Sequence, residues 1–191
     1  MINPVLSVDV DWVKNFNQFN LLFEFIVNRF KHSKQIIFID CHHNILNFLE
    51  PNERSIINID DHHDIHQPQV FEQDLNYIHI GNWVEYLISK NNLDHYFWLC
   101  NTTSHIEERH LTPIRQIKSF KILHNINDIM KFQYDKIVIC KSFDYFRGEA
   151  KEKGLANIFN LLQIIAINLY KDKTIIDNQP NPYNFKLKNN I

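Results

Sequence analysis

The 191-residue chain holds only three glycines, Gly81, Gly148 and Gly154. That scarcity excludes whole classes of site. There is no G-x-G-x-x-G turn, no Walker loop and no G-x-S-x-G elbow, so a glycine-rich phosphate cradle or nucleophile elbow cannot be built. Cysteine is equally scarce. Cys41, Cys100 and Cys140 are odd in number and lack C-x-x-C spacing, which argues against a disulfide framework and a structural zinc knuckle. With a net charge of -2 there is no basic stripe for nucleic acid and no acidic block. No apolar run is long enough to span a membrane, and Met1-Ile2-Asn3-Pro4 does not open a signal peptide. A cytoplasmic protein without a membrane partner is therefore expected. The sequence carries no signal of oligomeric state.

Histidine, by contrast, is abundant: eleven residues, several beside carboxylates. They are densest in Asn58-Ile59-Asp60-Asp61-His62-His63-Asp64-Ile65-His66, where seven of nine residues can bind metal or move protons. The run Arg54 to Ile59 before it reads as a strand, and open α/β sheets build their sites where strands end. The D-x-H-x-D spacing fits one register, Asp60, His62 and Asp64; shifting by one meets Ile65 and fails.

Two other strand ends carry similar chemistry. Val5 to Val10 reads as a buried strand running into Ser7-Val8-Asp9-Val10-Asp11, and alternation predicts Asp9 and Asp11 on one side. Two carboxylates there repel, and a cation between them would relieve it; the alternative is an acid capping the next helix. Gln35 to Asp40 reads as another strand, leading into Asp40-Cys41-His42-His43-Asn44-Ile45. This echoes Asp60-Asp61-His62-His63-Asp64-Ile65 at a spacing of 20 residues. Parallel strands would bring both motifs out at one sheet edge, as two walls of one site. One of His42 and His43 then serves as ligand and the other as a satisfied core histidine.

The rest of the chain supplies a frame. Phe16, Phe19, Leu22, Phe23, Ile26, Val27 and Phe30 recur at helical spacing and predict a core-facing helix within Val13 to Phe30. Asn76 to Ile80 is strand-like, with Tyr77 and His79 on one face. Gly81-Asn82-Trp83 opens a helix to Lys90, with Asn82 as N-cap or site residue. Further strands are expected at Asp94 to Cys100, Gln116 to Leu123 and Lys136 to Cys140, with a helix from Gly154 to Tyr170. Ser142-Phe143-Asp144 follows the Lys136 strand with another acid. The segment from Lys171 has weak pattern and reads as a loosely ordered tail. The expectation is a single α/β domain over 1–191: three layers, a mostly parallel sheet and helices on both faces.

These motifs resemble the ureohydrolase superfamily, arginases and their relatives. That family uses a G-D-H, a D-x-H-x-D and an S-F-D-x-D segment on one sheet edge. Asp40-Cys41-His42-His43 is loosely similar to the first, and Asp60-x-His62-x-Asp64 matches the second completely. Ser7-Val8-Asp9-Val10-Asp11 is similar to the third but stands ahead of the other two. Ser142-Phe143-Asp144-Tyr145-Phe146 holds the family's place in chain order and lacks the second acid; Asp9 and Asp11 are preferred because two metals need bridging carboxylates. In length, in the His-His pair and in Gly81-Asn82-Trp83 the chain is most similar to the short arginase-like family that includes the peptide arginases of ribosomal-peptide biosynthesis. The resemblance implies an arginase/deacetylase-like fold, two Mn²⁺ ions and conversion of arginine residues in a precursor peptide to ornithine with release of urea. The implied ligands are Asp9, Asp11, Asp60, His62, Asp64 and one of His42 or His43, a hard, oxygen-rich set. Two ions about 3.5–4 Å apart acidify water enough to attack a guanidinium. The proton for the leaving amine calls for a histidine outside the ligand set, His79, His66 or His63, in that order. Glu149 and Glu85 are candidates to pair with the guanidinium.

Two other readings stand beside this one. Asp61-His62-His63 with Asp9-x-Asp11 resembles the DHH phosphoesterases, although their glycine-rich second domain cannot be made from three glycines. A non-catalytic peptide-binding relative is the other, given Asn44 where the echo has an acid and Phe146 where the family has one.

Overall fold

The computed structural model describes residues 3–65, 78, 81–102, 104, 114–141, 154–155 and 157–177. Seven strands form one sheet: β1 (Val5–Asp9), β2 (Gln35–Ile39), β3 (Ser55–Ile59), β4 (His95–Leu99), β5 (Ser119–Leu123), β6 (Lys136–Cys140) and β7 (Thr174–Asp177). Their order is β5-β4-β3-β1-β6-β2-β7, and every pairing is parallel. The sequence accounts for this. β2, β3 and β6 are runs of Ile, Val and Phe buried along nearly their whole length, the signature of strands covered on both faces.

Among the described residues three helices complete the layers: α1 (Phe16–Phe30), α2 (Trp83–Ser89) and α3 (Asn157–Tyr170). Asn15 caps α1, its side chain accepting from the Gln18 amide at 3.0 Å. α1 and α3 cover one face through Leu22, Ile26, Phe30, Ile158 and Leu162, packed against Leu6, Val8, Phe38, Ile57 and Ile139. α2 covers the other through Trp83, Val84 and Leu87, with the short 3-10 helix His42–Asn47 alongside, against Val5, Ile37, Ile56, Tyr96 and Trp98. The result is the expected three-layer α/β arrangement, with the sheet parallel throughout.

β2 and β3 are parallel in one sheet, as expected, with β1 and β6 between them. Other details differ from expectation. Phe16, expected in the core, is 53% exposed at the first position of α1; Phe25 takes a core position instead. The expected loose tail from Lys171 is, over 171–177, a turn and an edge strand beside β2. Lys173 anchors it: its ammonium donates to the carbonyls of Phe30 and Ser33, each at 2.6 Å, so a cation caps the C-terminus of α1. Residues 178–191 lie outside the described set, as does most of the expected strand at Asn76 to Ile80. The three cysteines are free thiols. No helix among the described residues is long and apolar enough to cross a membrane.

Candidate metal centre

Parallel strands all end at the same sheet edge, and here β1, β2 and β3 deliver their acids and histidines together. Asp9 is the last residue of β1 and Asp60 follows β3 directly. His42 opens the short 3-10 helix after β2. Asp11 reaches the site by a different route from the one expected. The chain turns at Val10–Trp12, Asp9 caps that turn, and its Oδ1 accepts from the Asp11 amide at 3.1 Å. The tight turn brings the second carboxylate back beside the first, where strand alternation had been expected to do so. Both are buried, at 5% and 1% exposure.

Donor atoms of Asp9, His42 and Asp60 lie within 4.8 Å of one another, and so do those of Asp11, Asp60 and His62. Asp60 belongs to both groups, with one oxygen toward each imidazole. Its Oδ2 is 3.1 Å from His42 Nδ1 and its Oδ1 is 3.7 Å from His62 Nδ1. His42 Nδ1 also faces Asp64 Oδ2 at 3.0 Å and Asp9 Oδ2 at 3.4 Å. Asp64 gets there through a left-handed backbone, φ 53°, a conformation that Asp tolerates better than most side chains. Of the histidine pair His42 and His43, it is His42 that faces the carboxylates. His43 is buried in the same turn, outside both groups.

A surrounding layer fixes these groups. Ser7 Oγ is 2.7 Å from His42 Nε2, so the ring turns Nδ1 to the acids. Trp83 donates its indole N–H to Asp64 Oδ2 at 2.6 Å, and its ring lies 5.0 Å from that of His42. The Val84 amide donates to the Asp64 carbonyl at 3.1 Å, tying the start of α2 to the same residue. Asn58 Nδ2 donates to Asp60 Oδ2 at 3.1 Å, Tyr96 Oη to the His63 carbonyl at 2.9 Å and Trp98 Nε1 to the Asp60 carbonyl at 3.0 Å. The sequence offered one signal for this layer: Ser7 and Asp9, Asn58 and Asp60, and Tyr96 and Trp98 each share parity on a strand, so polar groups of buried strands fall on one face.

The electrostatics are those of a carboxylate cluster short of positive charge. Burial pushes the Asp11 carboxyl up to about 7, helped by the charge of Asp9 and opposed by the His62 imidazole beside it. His62 is raised to about 11, first by its contacts with Asp11 and Asp60, against desolvation. Burial also dominates at Asp64, and with the charge of Asp60 holds it well above the carboxylate range despite His42. For His42 burial is the largest influence and favours the neutral ring, but the charge of Asp64 and bonds to Asp60, Asp64 and Asp9 outweigh it together, raising the imidazole. At Asp60 the two imidazoles win over burial and lower it. Asp11 Oδ2 is buried without a hydrogen bond, facing His62 Nδ1 at 3.4 Å. Converging oxygens, imidazole Nδ1 atoms directed at them and an unsatisfied buried carboxylate oxygen fit a divalent cation.

The other sequence candidates fall elsewhere. Asp61 turns away, paired with Lys14 Nζ at 2.9 Å and accepting from Ser104 Oγ at 3.0 Å. His63 is buried with Nδ1 accepting from the Ile65 amide at 3.1 Å and its ring edge-on to Trp98. Asn82 occupies the N-cap position of α2 without a side-chain capping bond, and Glu85 is partly buried in the first turn. His66, His79, Glu149 and Asp144 lie outside the described residues. No protein-family model, curated protein or solved structure matches the chain.

Proposed function

We propose that the chain is a binuclear-metal hydrolase that cleaves the guanidinium of an arginine residue within a peptide, leaving ornithine and releasing urea. The observation that carries this reading is the shared Asp60, which turns one oxygen to each of two donor groups. A carboxylate used in this way is what a pair of ions about 3.5–4 Å apart requires. The donor set is four carboxylates (Asp9, Asp11, Asp60 and Asp64) and two imidazoles (His42 and His62), and Mn²⁺ suits it better than a thiolate-seeking metal. His42, Asp9, Asp60 and Asp64 would hold one ion, and Asp11, Asp60 and His62 the other. Bound there, the ions supply acidified water and polarise the substrate.

This chain's own residues do the rest. Trp83, Asn58 and Ser7 hold the ligands in register. The His62 side chain, 46% exposed, marks the side on which water and substrate arrive. Water adds to the guanidinium carbon, the bond from that carbon to the side-chain nitrogen breaks, and the leaving amine takes a proton. We assign that proton to a histidine outside the ligand set, His63, His66 or His79. We assign the guanidinium contact to Glu85, Glu149 or Asn82. The DHH phosphoesterase reading needs Asp61 at the metals, and the pairing of Asp61 with Lys14 and Ser104 favours the ureohydrolase register.

The test is direct. Protein loaded with Mn²⁺ is incubated with arginyl peptides and with free arginine, and urea and peptide mass are followed. The expected result is urea with a peptide loss of one cyanamide equivalent, arginine to ornithine. Absence of urea from every substrate, with metal bound, refutes the reading.

A further inference from the structure

α3 has the composition of a helix covered on both sides. Its inner face packs on the sheet through Ile158, Leu162 and Ala166. Its outer face is apolar too: Leu161, Ile164 and Ile167 are exposed, Ile164 by 54%. Asn157, Asn160 and Asn168 fall on the same side at helical spacing, so amides and aliphatic chains share one exposed stripe. No charged residue occurs in α3, whereas α1 carries Glu24 and Arg29 and α2 carries Glu85. Of the nine exposed large apolar side chains among the described residues, six lie in α3 and β7, so this uncovered surface is concentrated in one part of the fold. β7 follows α3 after one turn and is tied to it by Thr174, whose Oγ1 donates to the Tyr170 carbonyl at 2.8 Å. Within β7, Ile176 is in register with Phe38 and shares the α3 side of the sheet. Ile175 is in register with Ile37 and lies on the α2 side.

We propose that the outer face of α3 is the interface of a two-fold homodimer, its occupant a second copy of this chain. A helix apolar all round belongs where both sides are covered. A lipid bilayer does not fit as the cover. α3 is about 21 Å long, short of the roughly 30 Å hydrocarbon layer. A helix lying on a lipid surface presents Lys and Arg on its outer side, and α3 has neither. A partner recognised by its charge would find nothing on this face to pair with. A two-fold interface has a different requirement: the patch must complement itself, and any charge near the axis faces its own copy. A stripe free of charge over fourteen residues meets that requirement. Its polar groups meet it as well, because an amide both donates and accepts and therefore pairs with another amide. Two copies of α3 crossing antiparallel about Ile164 set Asn160 of one beside Ile167 and Asn168 of the other. This face is on the opposite side of the sheet from Trp83, Asn58 and Ser7, so dimer formation and metal binding are separable.

The experiment is sedimentation equilibrium of the full-length chain over a concentration series. The expected mass is twice the 23.0 kDa of one chain, falling toward a single chain on dilution. Ile164→Lys should raise the dissociation constant about tenfold or more, with the far-ultraviolet circular dichroism unchanged. Asn160→Lys, which removes no apolar contact from the fold, should act in the same direction. Ile164→Glu should also dissociate the dimer, and mixing it with Ile164→Lys should restore a dimer, since opposite charges then meet across the axis. Ile175→Lys, on the other side of the sheet, should leave the dimer in place. A single-chain mass at every concentration overturns the proposal. So does a dimer that the two lysine variants of α3 leave intact, or one that Ile175→Lys dissolves. Failure of the mixed variants to associate overturns the two-fold arrangement. Cosedimentation of the unsubstituted chain with phosphatidylcholine–phosphatidylglycerol vesicles, in place of self-association, overturns the proposal in favour of a lipid surface.

Discussion

Leu6 and Val8 of β1, Ile57 and Ile59 of β3, and Phe97 and Leu99 of β4 point to one face of the sheet, among α1 and α3. Ser7, Asn58, Tyr96 and Trp98, their immediate neighbours in the same strands, point to the other and are equally buried. The first face is apolar and holds the molecule together by packing. The second, near the strand ends, carries a hydroxyl, an amide, a phenol and an indole, each bonded to the loop or to the acids and histidines of the candidate metal centre. Alternation lets each strand do both jobs in adjacent residues. Burying polar groups is costly unless every one is bonded, so the second face gives up stability for position. Substitution on the two faces should therefore read out differently.

The largest separation is expected from Asp60→Asn. It should abolish binding of both ions and urea release, with the far-ultraviolet circular dichroism unchanged; retention of either ion by dialysis would show that Asp60 is not shared. On the apolar face, Phe38→Ala removes a ring edge-on to Phe159 at 5.4 Å and should cost about 3–5 kcal/mol in urea denaturation. Metal affinity of the folded fraction should not change, and a parallel loss would mean the faces are mechanically coupled. Asn58→Leu inverts that pattern. Metal affinity should fall about 10–100-fold, while stability shifts by no more than about 1–3 kcal/mol.

The smallest effect is on pH. In the metal-free protein Asp11 sits at about 7, above its ordinary value, so its contribution to stability is full below about 3.8 and is lost as pH rises through about 7. His62, at about 11, contributes fully below about 6.5 and loses that only as pH rises through about 11. Both groups must shed protons to bind metal. The gain in melting temperature on adding Mn²⁺ should therefore grow from pH 5.5 to 8.5; a constant gain would place the ion elsewhere. The apolar-face variant Phe38→Ala should show the same pH trend as the unsubstituted chain.

The sequence exposes some of this design and hides the rest for physical reasons. Ile and Val runs announce β2, β3 and β6, because strands covered on both faces have little choice of residue. Asp60, His62 and Asp64 are legible because one spacing alone fits. The neighbours of β1 are not, since strand order depends on long-range packing that no local pattern records. β7 is only Thr-Ile-Ile-Asp beside lysines, too short to announce itself, and its anchor is a Lys173 contact to the end of a helix far back in the chain. Trp83 stood out as part of a segment, but nothing local tells that its indole reaches Asp64 across the site.

The central place of β1 also sets a timetable. Val5 pairs with Ile56 and Leu6 with Ile137, so the strand that leaves the ribosome before the other six has one flank unpaired until β6 is made. Contacts so distant in sequence form slowly. Asp9 ends that strand, and its carboxylate meets His42, beyond β2, only when β6 closes the middle of the sheet, whereas Asp11 in the turn that follows meets Asp60 and His62 once β3 pairs with β1. Refolding followed by tryptophan fluorescence should therefore show metal uptake as the last event, lagging behind the collapse of α1 against its neighbours.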